Sequence, residues 1–351
     1  MQIFIDGVAY SAQPRQTVLQ VARANGLYVP TLCYHAKTGQ AGKCRACVAE
    51  VEGMRGMQTT CTLEVKDGMK VALSSDKVRN AQRLVVDLML SSGNHDCLSC
   101  EKNGSCELQE AAYHLGIERP SFVVPNDAEE KWDDSAQFIV RDDSKCIKCG
   151  RCISGCKTTV GNDVLDFGYR SGETKVICDE DLPMGRSTCV QCGECVQLCP
   201  VGALIEKKAI GQGRSWDLEK VDTTCPYCGV GCQVTLHVDK AKNRIVKVSG
   251  RETVPNDGML CVKGRYGYEF PSSPKRLQYP MIKKQGKHVR VSWEEALDYT
   301  AARIKRVVGE YGPDVFSAFG SGRITNENNY AIQKFTRAVI KTNNVDHCAR
   351  T

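Results

Sequence analysis

Cys146, Cys149, Cys152 and Cys156 repeat their spacing in Cys189, Cys192, Cys195 and Cys199; each run reads C-x2-C-x2-C-x3-C, and Pro200 closes the second. Thiolates grouped this tightly suit inorganic cores of iron and sulfide. Three on one short loop can reach three irons of a cubane, while the fourth, at the start of the following helix, points to the other cubane. Cys146, Cys149, Cys152 and Cys199 are therefore expected to hold one [4Fe-4S] cluster, and Cys156, Cys189, Cys192 and Cys195 a second. Cys178 lies between the runs and reads as a buried spectator.

Two further sets carry four thiols each. Cys33, Cys44, Cys47 and Cys61 are spaced C-x10-C-x2-C-x13-C. A glycine-containing loop of that kind can wrap a compact core and aim backbone amides at its sulfides, and four thiolates suffice for one [2Fe-2S] cluster. The alternative, a structural zinc site, usually presents two short cysteine pairs. Cys225, Cys228, Cys232 and Cys261, spaced C-x2-C-x3-C-x28-C, make another four-thiolate site. Cys97, Cys100 and Cys106 supply only three donors and need a fourth. His95 is the neighbouring imidazole, whereas His114 reads as a helix-face residue.

Cys97-x2-Cys100-x5-Cys106-Glu107-Leu108-Gln109 resembles a segment of the large peripheral subunit of respiratory complex I and of iron-only hydrogenases. There it binds a [4Fe-4S] cluster through three cysteines and one histidine. The family's histidine lies four residues before the first cysteine, a place held here by Gly93, while His95 stands two before it. With that shift, the resemblance implies His95, Cys97, Cys100 and Cys106 as ligands. The set from Cys225 to Cys261, followed by Val262-Lys263-Gly264, resembles the N-terminal cluster domain of molybdenum or tungsten oxidoreductases with two pyranopterin guanine dinucleotides. It implies a [4Fe-4S] cluster and places Lys263 between cluster and pterin as an electron relay.

Farther on, Ser292-Trp293-Glu294-Glu295-Ala296-Leu297, Gln333-Lys334-Phe335 and Asn343-Asn344-Val345-Asp346-His347-Cys348-Ala349-Arg350 resemble formate dehydrogenases of the molybdopterin family. The whole pattern implies the NAD(P)-linked catalytic subunit, with one [2Fe-2S] cluster, four [4Fe-4S] clusters and a Mo- or W-bis(molybdopterin guanine dinucleotide). Formate and CO2 are the implied reactants. A flavin- and NAD(P)-binding diaphorase-type subunit and a small [2Fe-2S] subunit are the implied partners, with ferredoxin or hydrogenase subunits as further ones. In the same pattern the alanine-arginine pair and one variable residue precede a cysteine or selenocysteine that ligates the metal, so that ligand is expected just after Thr351. The expectation is a chain stopped at a selenocysteine codon, able to pass electrons but not to oxidise formate by itself.

Two readings compete. A non-catalytic electron-transfer subunit like the complex I arm shares everything up to Cys261 but is not expected to contain residues 343–350. An iron-only hydrogenase is disfavoured, because the sequence after Val221 is a pterin-enzyme cluster domain.

The elements that must position these residues divide the chain as an α+β multidomain protein. A β-grasp [2Fe-2S] ferredoxin-type domain is expected over 1–78, a [4Fe-4S] segment with one histidine and three cysteine ligands over 79–120 and a 2[4Fe-4S] ferredoxin domain over 138–210. A [4Fe-4S] Mo/W-bisMGD domain over 219–275 and an incomplete α/β molybdopterin domain over 276–351 follow. Ile3, Ile5 and Val8 alternate around Asp6-Gly7, a hairpin signal, and a helix over 17–24 stops at Asn25-Gly26. A helix over 75–90 leads to the Cys97 group, and residues 164–178 read as a hairpin turning at Ser171-Gly172. Strands over 233–238 and 244–248 separate Cys232 from Cys261. In the last segment Ser292 and Glu295 suggest a capping box for a helix to about 309, and 315–319 reads as a buried strand. Gly320, Gly322 and Arg323 then form a loop before a helix from about 326, where amides and a cation could meet the pterin's pyrophosphate.

Composition excludes several classes. Charged residues make up 25% and apolar ones 42%, so the chain is neither disordered nor a minimal disulfide scaffold. No stretch approaches a membrane span and the first residues lack a signal-peptide pattern, which points to the cytoplasm, where grouped cysteines read as metal ligands. The net charge of +6 comes from residues 239–290, which alone carry +9. A basic block beside anionic clusters and a phosphate-bearing cofactor accounts for it, and no aromatic-basic interleaving supports nucleic acid.

Overall fold

Asp6 and Gly7 both have positive φ, 48° and 81°, the left-handed pair that a two-residue hairpin turn requires. They fold Gln2–Ile5 antiparallel to Val8–Ser11 with Ile5 opposite Val8. This is a computed structural model; it describes residues 1–39, 42–122 and 132–348. Two compact units result. One comprises Met1–Lys220, His237–Lys247 and Leu260–Val262, and the other Val221–Leu236, Val248–Met259 and Lys263–Thr351.

In the first unit Gln2–Ile5 also pairs in parallel with Lys70–Ala72, which continues through Val48–Val51 to Gln58–Thr59 as a five-stranded sheet. The helix Val18–Ala24 starts at a full capping box, Thr17 and Gln20 each accepting the other's backbone N–H. Its Val18, Leu19, Val21 and Ala22 pack on Ile3, Ile5, Val51 and Val71, and Cys47 and Cys61 belong to the same core. Burying those apolar faces together is what fixes the cysteine-bearing loops, since neither helix nor hairpin of this length is stable alone.

The helix Asp76–Ser91 is capped by Ser75 and buries Val78, Gln82, Val86 and Asp87. Gln82 donates to the Val48 carbonyl at 2.9 Å, tying the helix to the sheet. Glu107–His114 follows as a second helix. Trp132–Asp133, Ile139–Asp142 and Leu204–Glu206 form an antiparallel three-stranded sheet, Val140 opposite Ile205. Between its strands run the two repeats. The first has the helix Arg151–Ser154 continued by a π-helical turn over Gly155–Val160, and the second has the helix Glu194–Leu198. Leu165–Gly168 and Lys175–Cys178 form the expected hairpin, Phe167 opposite Val176.

Glu219–Thr224, Gln233–Asp239 and Arg244–Gly250 make a three-stranded sheet. In the second unit Met281–Lys284 pairs with Lys287–Arg290, the helix Trp293–Tyr311 follows, and Ala318–Gly320 pairs in parallel with Val345–His347 across the helix Asn326–Lys334. Two expectations are corrected here. Ser292 caps Glu295 N–H, but the Glu295 carboxylate turns to Lys284 Nζ at 2.7 Å, so the reciprocal half of the capping box is missing. Residues 315–319 are not a buried strand: Pro313–Val315 is a 3-10 turn, the strand starts at Ala318, and Phe319 is 75% exposed. An apolar run identifies potential to be buried, and only a packed neighbour realises it. Among the described residues no helix is long and apolar enough to cross a membrane.

Candidate metal centres

Cys33, Cys44, Cys47 and Cys61 are all buried. The Cys44 amide donates to Cys33 Sγ at 3.4 Å, and Thr60 donates twice to the Cys47 carbonyl, from its amide at 3.0 Å and its hydroxyl at 2.8 Å. The four thiols lie in one hydrogen-bonding group. Donation from Cys44 and then Cys61 holds the Cys33 thiol down to about 2, and donation from Cys61 brings Cys47 to about 6, while the donors themselves are pushed up. A buried group that already favours thiolate at two of its positions is prepared for a cationic core.

His95, Cys97, Cys100 and Cys106 line one small cavity together with Asn103, Gln109, Lys145 and Gly202. The imidazole of His95 folds back over Gly93: a Cβ at residue 93 would lie 2.8 Å from His95 Nε2. The displaced histidine thus covers the place from which a side chain at 93 would start. Burial pushes the imidazole below its usual range, favouring the neutral form that a metal ligand needs. Gly202 is equally tight, since a Cβ there would lie 2.5 Å from Cys100 Sγ. His114 is elsewhere, at the end of its helix with its ring 4.2 Å from that of Tyr28.

The two repeats agree at the level of single amides. Lys148 and Gln191 have φ of 55° and 52°, and each amide donates at 3.4 Å to the sulfur two residues back, of Cys146 and of Cys189. Cys146, Cys149, Cys152 and Cys199 line one enclosed cavity walled by Ile147, Leu165, Val176 and Leu204. Burial pushes the Cys146 thiol up to about 11 and Cys149 to about 12. Around Cys195, whose thiol burial raises most strongly, stand Cys192, Cys189 and Cys156, in order of the further influence they exert. Cys199 lines the cavity of the first loop, and Cys156 lies among the thiols around Cys195. Cys178 is fully buried outside the first cavity, with Arg141 Nη1 3.5 Å from its sulfur.

Among the described residues no three His, Cys, Asp or Glu side chains converge closely enough for a single metal ion. What the first-repeat thiols surround is a cavity lined by four thiols and otherwise mainly apolar side chains. Four thiols around such a space suit a core larger than a single ion, one that brings its own bridging sulfides.

Cys225, Cys228 and Cys232 sit on a turn closed by donation from the Cys225 amide to the Cys232 carbonyl at 2.8 Å, with Gly231 at φ 70°. Cys261 immediately precedes the helix Val262–Tyr266, on which Lys263 is exposed. Gly320 is the last residue of its strand rather than part of the loop after it; Gly322 follows, and the loop is tied by Asn329 Nδ2 to the Ser321 carbonyl at 3.0 Å and by the Gly322 amide to Cys348 Sγ at 3.4 Å. Space around the Gly322 Cα is open, and Arg323 is exposed beside it. Ala349, Arg350 and Thr351, which carry the expected approach to the catalytic ligand, lie outside the described residues. Sequence reasoning missed Arg151 and Glu194, both almost fully buried next to ligand cysteines; aligning the two repeats residue by residue would have exposed them as an opposed charge pair.

With this geometry in hand, comparison with known families is specific. Residues 1–76 match a 2Fe-2S iron-sulfur cluster binding domain, 82–121 the NADH-ubiquinone oxidoreductase-G iron-sulfur binding region and 145–203 a 4Fe-4S dicluster domain. Residues 218–273 match the molybdopterin oxidoreductase Fe4S4 domain, and 276–351 molybdopterin oxidoreductase. All of the chain aligns at 34% identity with the NADPH-Fe(3+) oxidoreductase subunit alpha of Geobacter sulfurreducens and with an NADH-quinone oxidoreductase subunit of Rhizobium meliloti. It aligns at 31% with YrhE of Bacillus subtilis, provisionally named a formate dehydrogenase. The chain spans 40% of the length of each of these relatives. A chain of the NAD+-reducing [NiFe]-hydrogenase in its H2-reduced state superposes with a TM-score of 0.56 at 31% identity, covering 60% of this chain and 89% of that one.

Proposed function

We propose, for a chain that belongs to the molybdopterin oxidoreductases and carries iron–sulfur domains of the NADH-ubiquinone oxidoreductase-G type, that it is the electron-conducting part of a formate dehydrogenase. The reaction is the oxidation of formate to CO2, with release of one proton and two electrons. When bound, a molybdenum or tungsten pterin would supply two-electron chemistry, and the clusters would supply one-electron relays.

The protein's part is to hold and insulate the relays. Cys33, Cys44, Cys47 and Cys61 would hold a [2Fe-2S] cluster, and His95, Cys97, Cys100 and Cys106 a [4Fe-4S] cluster. The sets Cys146, Cys149, Cys152, Cys199 and Cys156, Cys189, Cys192, Cys195 would hold two more, and Cys225, Cys228, Cys232 and Cys261 the last. Lys263 offers a cation after Cys261, and the exposed Arg323 beside Gly320 and Gly322 offers charge for a pyrophosphate. A flavin-bearing subunit and a small [2Fe-2S] subunit would take the electrons on to NAD(P), in the cytoplasm. The names of the Geobacter relative and of the hydrogenase, both nicotinamide-linked, support that class of acceptor.

The observation that carries this reading is the cavity ringed by Cys146, Cys149, Cys152 and the sequence-distant Cys199. Anaerobic reconstitution tests it: one [2Fe-2S] and four [4Fe-4S] clusters require about 18 irons per chain. A plateau near half that value would defeat the assignment. The Rhizobium relative favours a second reading, a wiring subunit without its own substrate. Elemental analysis separates the two: molybdenum or tungsten at about one per chain in the native complex, with formate-dependent reduction of the clusters, supports the enzyme. An active complex lacking both metals supports wiring alone.

A further inference from the structure

The two cluster loops are the same structure with opposite charge. Cys149-Gly150-Arg151-Cys152 and Cys192-Gly193-Glu194-Cys195 occupy equivalent places in the repeat. Each turns through a left-handed glycine, φ 78° at Gly150 and 77° at Gly193, and starts a helix on the following residue. Both side chains at that position are withdrawn from water. Arg151 and Glu194 are each 2% exposed at the side chain.

Their partners lie in other domains. Arg151 makes a two-pronged contact with Glu107, Nη1 at 2.6 Å and Nη2 at 2.7 Å, and Nη2 also donates to the Thr31 carbonyl at 3.1 Å. Glu107 adjoins Cys106, and Thr31 stands two residues before Cys33. Glu194 Oε1 accepts from Lys37 Nζ at 2.5 Å, four residues beyond Cys33. Four cluster sites therefore meet at these two pairs.

The balance of charge differs between the pairs. The Glu107 side chain is 41% exposed, so water screens its carboxylate while the guanidinium stays in the interior. Lys37 is 5% exposed and buried with its partner, but the carboxylate is the member carried on the cluster loop itself. Arg141 also reaches the first cavity, and it is balanced by Asp143 at 3.4 Å and Asp133 at 4.0 Å. Reducing a cluster adds negative charge, which a buried cation set between two ligands of its loop favours and a buried anion in the same place opposes.

We infer that Arg151 and Glu194 set the potentials of the two repeat-related cubanes apart, the cluster of Cys146, Cys149, Cys152 and Cys199 being the more easily reduced. Electrons would then rest on the cubane whose loop touches both the Cys106 and the Cys33 segments, which makes it the collecting point of the arm. The inference rests on the cluster assignment proposed above.

EPR-monitored redox titration of the intact complex tests it, with Cys146→Ser and Cys189→Ser identifying the two signals and iron content measured alongside. The two cubane signals that these variants identify must differ, that of the Cys146 set having the higher midpoint. Arg151→Gln should shift that midpoint down and Glu194→Gln should shift the other up, each leaving its neighbour's nearly in place. Arg151→Lys keeps the charge but loses the fork onto Glu107 and Thr31, and should hold the potential near its original value. A purely structural role predicts instead that Lys and Gln behave alike. Equal midpoints, the reverse order, or unmoved potentials in loaded Gln variants overturn the inference. So does loss of the cubane in the near-isosteric Glu194→Gln, which would assign the residue to assembly. Absence of two cubane signals from the wild-type complex would be a failure of the cluster assignment itself.

Discussion

His95 Nε2 stands 3.0 Å from the carbonyl oxygen of Met89. A carbonyl only accepts, so this nitrogen carries the proton and Nδ1 keeps the lone pair. Metal-binding histidines commonly donate their second N–H in this way, which fixes the ring and raises its donor strength. A ligand at residue 95 instead of 93 would thus be held in place by the end of the preceding helix. The expected result is an imidazole nitrogen coupling in the pulsed EPR spectrum of one reduced cluster, lost in His95→Ala while the other clusters keep their signals. An unchanged spectrum in that variant would remove His95 from the ligand set.

Gly202 provides a test of the same cavity from the opposite wall. A methyl group there would fall 2.5 Å from Cys100 Sγ, so Gly202→Ala must displace a ligand. Iron content should fall by about 4 per chain, with loss of the histidine-coupled signal alone. Gly172→Ala, where no atom lies within 4 Å of the added carbon, serves as the control and should load fully. Equal iron in both variants would show that the cavity has slack.

How much of this was visible in the residues depends on the range of the interaction. Cysteine spacing and the Asp6-Gly7 turn are local signals, and the first hairpin stands where its turn puts it. The Arg151 contacts reach across 44 positions to Glu107 and 120 to Thr31, and Lys37 across 157 to Glu194. No periodicity encodes such pairs. The Met89 carbonyl is hidden for another reason, because every residue has one and only the fold selects which meets an imidazole. Glu295 shows local and tertiary signals in conflict: its spacing from Ser292 suits a capping box, but Lys284 on the neighbouring hairpin takes the carboxylate.

Ser75 does two things at once. Its hydroxyl oxygen accepts from the Val78 amide at 3.2 Å, and its proton goes to Glu50 Oε2 at 2.8 Å, joining the helix start to the sheet. Ser75→Ala should cost about 1 kcal/mol, nearly all from the lost cap, because the exposed Lys77–Glu50 pair beside it contributes little. Chemical denaturation of the cluster-loaded chain measures this, and Ser75→Thr should recover most of it. A loss shared equally by Ala and Thr would point to packing rather than capping.

His237 makes the first unit sensitive to acid. Burial, reinforced by the charges of Lys247 and Lys220, pushes its imidazole down to about 4. The unfolded chain titrates the same ring near about 6.5. Above that pH both states hold a neutral ring and the group contributes no pH dependence. Between about 6.5 and 4 the unfolded state binds a proton that the native state refuses, so stability falls as pH falls. The full loss is on the order of 3 kcal/mol, reached as pH approaches the native value. Because cysteine ligation and other groups also titrate in acid, the informative quantity is the difference between wild type and His237→Gln, which has no proton to gain. Denaturation midpoints of the two proteins should run parallel above pH 7 and converge or cross as pH is lowered toward 5, the variant losing less. Profiles that remain parallel down to pH 5 would mean that the ring is hydrated and protonates in the native state as freely as in the unfolded chain.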